Sequence, residues 1–129
     1  MDTKQRGRKM KSSYLAHISD QGETQSVLEH LRGTAALAQS FARPFGGDEQ
    51  AFLAGMTHDI GKYSQAFQKH LHGAPMQVDH STAGAVECWR RRQILAAFAV
   101  AGHHGGLPDG GSRTDSGDQA TLWGRIKRA

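Results

Sequence analysis

FLAGMTHDIGK, residues 52–62, runs through small and apolar residues, then sets His58 and Asp59 side by side ahead of Gly61 and Lys62. The small and apolar run predicts a helix over roughly 49–60, stopped by a glycine suited to a helix C-terminus. Taken alone, the His58-Asp59 pair is explained by a polar helix tip. It is equally explained by two adjacent metal ligands. Consecutive helical positions are ~100° apart, so the two side chains can approach one ion from different directions.

On the N-terminal side, Ser26 and Glu29 have the spacing of a capping box. Val27, Leu31, Thr34, Ala38 and Phe41 then follow helical spacing, with His30 on the same stripe. RPFGGD (43–48) punctuates the chain and supplies Asp48 as the cap of the next helix. On the C-terminal side, Ser64 can cap a short helix carrying Phe67 and Leu71 that stops at Gly73. His70 and His72, near the end of that helix, read as surface residues favoured by its negative end. A loop, GAPMQVD, leads to His80 and to Ser81, which can begin a fourth helix. ILAAFAVAG (94–102) is apolar on every side and predicts deep burial. It runs into the glycine-rich loop HHGGLPDGG, a mobile stretch over 110–118 and a last short helix with Leu122, Trp123 and Ile126. There is no extended alternating pattern and no repeat, so the expected fold is all-α.

Composition sets the outer limits. A chain of 129 residues supports one domain with a modest core, and 37% apolar residues plus 16 glycines give an ordinary globular balance. No apolar run reaches the ~18 residues of a membrane span. Neither an apolar leader nor a second cysteine beside Cys88 is present, which points to a reducing cytoplasm. The net charge is +4, concentrated in a basic lead-in over 1–13 (Lys4, Arg6, Arg8, Lys9, Lys11), in Arg90, Arg91 and Arg92, and at Arg125, Lys127 and Arg128. Such clusters can neutralise phosphates, and Arg90–Arg92 are candidate nucleic-acid contacts. They are equally compatible with a flexible tail and a solvated helix face.

Placement, more than their number, makes the histidines informative. His30, the His58-Asp59 pair, His80 and the His103-His104 pair come from separate helical segments at positions expected to face inward. A lone His30 would ordinarily be a hydrogen-bonded core residue, and a lone His-Asp pair carries little information. Together they need partners, because unpaired buried polar groups cost kilocalories each. A shared metal centre satisfies all of them. Mixed imidazole and carboxylate sets suit manganese, iron, cobalt, nickel or zinc. Asp59, with two oxygens, can bridge two ions ~4 Å apart, the separation used in two-metal hydrolysis of phosphoesters.

The segments LEHLRGTAALA, FLAGMTHDIGKYSQAFQKHL, VDHSTAGA and AGHHGGLPDGG resemble the HD-type nuclease domain of type I CRISPR–Cas systems over residues 14–128. The resemblance implies an HD-domain helical bundle spanning 14–129. In it His30, His58 and Asp59 hold one metal, and Asp59 bridges to a second held by His80, His103 and His104. Lys62 would stabilise charge on the scissile phosphate. The implied cofactors are two divalent transition-metal ions (manganese, nickel, cobalt or iron) and the implied substrate is single-stranded DNA. Its partners would be an RNA-guided surveillance complex and a helicase in cis or in trans. The family pattern carries a further metal-binding aspartate on a later helix, which Asp109, Asp115 and Asp118 do not match. The chain is therefore expected to be the N-terminal portion of the domain, lacking C-terminal helices and exposing apolar faces they would cover. Two other functions fit the same ligand set: a phosphohydrolase acting on nucleotides, and a catalytically impaired fragment that serves as an interaction module.

Overall fold

A computed structural model describes residues 14–75 and 78–129. The basic lead-in expected over 1–13 lies outside them. Two short strands, β1 (Leu15–Ile18) and β2 (Thr24–Ser26), pair antiparallel with a register shift between Leu15 and His17. Six helices follow among the described residues: α1 (Val27–Ala42), α2 (Asp48–Thr57), α3 (Gln65–Leu71), α4 (Thr82–Arg90), α5 (Ile94–Gly102) and α6 (Leu122–Arg128). Single 3₁₀ turns at Arg43–Phe45 and Ile60–Tyr63 link α1 to α2 and α2 to α3.

The fold is thus helical, as the sequence predicts, with the hairpin as the addition among the described residues. The hairpin escapes periodicity because of its length: in four residues, only Ala16 of β1 is buried. It is anchored from outside by Gln68, whose amide oxygen accepts from Leu15 N (3.1 Å) and whose amide nitrogen donates to Leu15 O (2.9 Å) and Lys62 O (2.9 Å).

Helix starts follow local chemistry. Ser26 Oγ accepts from Glu29 N (3.1 Å) at α1, Ser64 Oγ from Phe67 N (3.1 Å) at α3, and Thr121 Oγ1 from Gly124 N (3.1 Å) at α6. At α2 the expectation needs correction: Gly47 is the cap and Asp48 the first helical residue, where its charge still favours the N-terminus. That helix also ends earlier than Gly61. Thr57 is its last residue and Asp59 has left helical geometry (φ −118°), so the His58-Asp59 pair occupies a turn.

Alanines dominate the buried set, so the helices approach closely. Ala85 and Cys88 of α4 pack with Ala96, Ala97, Val100 and Ala101 of α5 and with Leu122 of α6. A second cluster joins Ala16 of the hairpin to Val27 and Leu31 of α1, with Met56 and Ile60 against it. Gly84 lets α4 sit directly on the Thr57 carbonyl at the end of α2, where any Cβ would collide. Three burial expectations fail. His103 and His104, expected to face inward, are both exposed where the chain leaves α5. Phe41 is 74% exposed because the stripe actually buried on α1 is Val27, Leu31, Ala35 and Ala42. Leu95 is 71% exposed although α5 is apolar throughout, because its first turn faces an open apolar groove lined by Ala42, Phe45, Ala51 and Ala54.

Candidate metal centre

Asp59 is the centre of the site. It is 2% exposed, and each carboxylate oxygen faces a different group of side chains. Oδ2 lies 2.8 Å from His30 Nε2, 3.2 Å from His58 Nε2 and 3.1 Å from Lys62 Nζ. Oδ1 lies 3.1 Å from His103 Nε2 and 3.4 Å from His80 Nε2. His104, exposed at the mouth, stacks its ring 4.6 Å from His80 and 4.3 Å from His103. Candidate ligand atoms therefore fall into two groups, each within 4.8 Å: an inner one of His30, His58 and Asp59, and an outer one of Asp59, His80, His103 and His104.

Each side chain has a local reason for its place. His30 stands in the first turn of α1, just after the Ser26 cap. His58 and His103 occupy equivalent positions, capping the C-termini of α2 and α5. Their Nδ1 atoms contact the carbonyls three residues back, Gly55 O and Val100 O, both at 2.7 Å. His80 precedes α4, pressed on the 3₁₀ turn where Gly61 leaves room for its backbone: a Cβ there would lie 2.6 Å from His80 O.

The donor set fits cations. Because a carbonyl oxygen only accepts, Nδ1 of His58 and of His103 carries the proton. In a neutral ring Nε2 is then a lone pair, and both lone pairs are aimed at a carboxylate. Acceptor against acceptor is repulsive unless a proton or a metal ion lies between them, and an Nδ1–H held by a backbone carbonyl is the usual support of a metal-ligating histidine. His80 Nε2 makes the same point: it is buried without a hydrogen-bond partner, its 3.4 Å approach to Asp59 lacking hydrogen-bond geometry. In the inner group His30 Nε2, His58 Nε2 and Asp59 Oδ2 are 2.8–3.2 Å apart. Adjacent ligands on one ion with bonds of ~2.1 Å are spaced by roughly 3.0 Å.

Charge in the site follows. Burial alone would raise the pKa of Asp59, but hydrogen bonds with His103 and His58 and the charge of Lys62 hold it far below the ordinary carboxylate range. The hydrogen bond to Asp59 raises the pKa of His103, whereas burial lowers those of His30 and His80 and keeps them in the neutral, ligating form.

The structure brings His30, His58, Asp59, His80, His103, His104 and Lys62 together, and leaves Arg90, Arg91 and Arg92 apart. Arg90 ends α4 and Arg91 and Arg92 follow it, roughly 12 Å along the helix from the His80 end; Arg91 pairs with Glu87 at 2.9 Å. Lys62 turns inward. It is 5% exposed, with Nζ on Asp59 and 3.5 Å from Ala16 O, so it supports the carboxylate from behind where the resemblance assigns it to a scissile phosphate.

Three contributors were not read from the sequence. His17 on β1 packs edge-on against His30 (4.9 Å) and depends on the unforeseen hairpin. Asp79 accepts from Ser81 N and Thr82 N (both 3.1 Å) and so starts α4; an Asp two residues before a Ser-Thr pair was its available signal. Arg125, read only as surface charge, reaches Ser81, Thr82 and Ala101.

Residues 27–124, which include both ligand groups, match the family model described as the HD domain. No curated protein matches the chain. Among the described residues no helix is long and apolar enough to cross a membrane. The matched span covers most of the sequence, and the chain belongs to the HD domain family of metal-dependent hydrolases.

Proposed function

We propose that residues 14–129 form a two-metal phosphodiesterase that cuts single-stranded DNA. It would act in the cytoplasm with an RNA-guided surveillance complex and a helicase in cis or in trans. One observation carries the two-metal part: two histidine groups share Asp59 through opposite oxygens. His30 and His58 would hold one ion with Asp59, and His80, His103 and His104 the other, with manganese, nickel, cobalt or iron suited to the nitrogen-rich set. Divalent ions in such a pair supply a nucleophile at neutral pH and neutralise charge in an in-line displacement. Lys62 keeps Asp59 ionised and oriented, and exposed His104 meets substrate entering from solvent. The DNA part rests on the motif wording around these residues and on the basic character of the chain.

A second reading, hydrolysis of small nucleotides, is favoured by the distance of Arg90–Arg92 from the site. Exposed Leu37, Phe41, Phe45 and Leu95 favour the third, an interaction module. The test compares single-stranded DNA, nucleoside triphosphates and cyclic dinucleotides, each with manganese, nickel or cobalt and with chelator. Metal-dependent cleavage of DNA, abolished in His58→Ala, is the expected result. Turnover of nucleotides without DNA cleavage selects the second reading, and no turnover of any substrate selects the third.

A further inference from the structure

Arg125 of α6 touches neither ligand group, yet its guanidinium spans the two segments that carry the outer one. Nη1 donates to the Ala101 carbonyl (2.6 Å), two residues before His103. Nη2 donates to Ser81 Oγ (2.7 Å) and Thr82 Oγ1 (2.9 Å), directly after His80, and Nε lies 3.3 Å from Thr82 Oγ1. Those hydroxyls in turn donate to Asp79, Ser81 Oγ to Oδ1 at 3.3 Å and Thr82 Oγ1 to Oδ2 at 2.5 Å. The polar chain thus runs from a cation through two hydroxyls to a carboxylate.

His80 precedes a helix and His103-His104 follow one, so no local hydrogen-bond pattern fixes the distance between them. A planar five-donor fork can bridge the two segments with little loss of freedom, which an ammonium cannot do. Its charge also sits favourably against a last-turn carbonyl of α5. We propose that Arg125 is a positioning residue for the outer ligand group: it sets the spacing of His80 against His103 and His104 and thereby the affinity of the ion held there. The inference rests on the two-metal reading above.

The test uses the full chain, Co²⁺ as the probe, calorimetry to count ions and visible absorption to report their coordination. The wild type binds two ions. In Arg125→Gln one of them weakens about 10- to 100-fold, the range for loss of an outer-shell support, while the other stays within twofold. Arg125→Lys recovers part of the loss at most, and Ser81→Ala, which removes one arm and keeps the charge, gives a smaller loss of the same ion. Leu122→Ala, from the buried face of the same helix, lowers the melting temperature without that selectivity. Equal weakening of both ions in proportion to melting temperature, as for Leu122→Ala, or no weakening in Arg125→Gln and Ser81→Ala, overturns the role of Arg125. A wild type that binds fewer than two ions removes the two-metal reading and this inference with it.

Discussion

His30 and His58 are brought together by one docked helix pair; His103 caps α5 as His58 caps α2, but its alignment with His80 and His104 depends largely on long-range ties. The inner pair stands on α1 and at the C-terminal cap of α2, helices that pack on each other near buried Ala35 and Gly55. Their positions follow once each helix has formed and the two have docked. The outer group lies on chain that enters α4 and leaves α5. Its geometry depends on the Gly61 contact, the Asp79 turn and the Arg125 bridge, which bring together residues up to 44 positions apart in sequence. One half of the centre is therefore built into a helix pair, and the other is assembled only when the whole fold closes. Asp59 couples them.

The largest effect should come from breaking that coupling. Asp59→Ala removes the carboxylate both groups share and leaves the Lys62 ammonium buried without its counterion. Calorimetry should detect neither ion at wild-type affinity, and metal-dependent hydrolysis should fall more than about a thousandfold. Denaturant unfolding should show a loss of about 3–5 kcal/mol, the cost of stranding a buried charge. Adding Lys62→Met should recover much of that stability and none of the binding. If Asp59→Ala retained both ions, the two groups would be independent sites and the comparison would lose its link.

The same division explains what the sequence made legible. The helices, their Ser26 and Ser64 caps and the candidate ligands that gather around Asp59 were readable, because helical periodicity and side-chain chemistry are local. The His58-Asp59 geometry was not: the helix stops at Thr57, two residues before Asp59, a 3₁₀ turn begins at Ile60, and nothing in MTHDIGK reports that change of winding. Arg125 was invisible for a different reason. An arginine whose acceptors are two hydroxyls and a carbonyl on other helices has no sequence signature, and on a short helix ending in LWGRIKR it reads as solvated charge. Phe41 and Leu95 failed because periodicity tells which faces are apolar, not which of them a neighbour covers.

A smaller perturbation should separate the halves. In Gly61→Ala the new methyl would lie 2.6 Å from the His80 carbonyl oxygen and 2.7 Å from its Cα, so the His80 segment must move outward. Overpacking of this kind costs about 1–3 kcal/mol. The outer ion should weaken about tenfold or more, on the scale of lost outer-shell support, and the inner ion should stay within twofold. Equal loss at both would mean that the 3₁₀ turn, shared through Asp59, matters more than the distinction between helix-held and tertiary-held ligands.

The mildest probe is protons. Asp59 remains ionised across the working range and contributes no titration to metal binding. His30 and His80 are pushed by burial toward the neutral form and have little proton to lose. His103 is different, because its hydrogen bond to Asp59 raises its pKa above the ordinary imidazole value of about 6.5. Below that raised value the ring carries a proton where the outer ion must bind, and binding must expel it. The outer affinity should therefore fall by up to about tenfold per pH unit as pH drops through the raised pKa. It should be level above that pKa. Calorimetry near pH 7 in buffers of different ionisation enthalpy reads this directly, as proton release accompanying the outer ion. Release tied to the inner ion would place the titrating imidazole on His30 or His58, and the proton-held contact at Asp59 would then belong to the helix-held half.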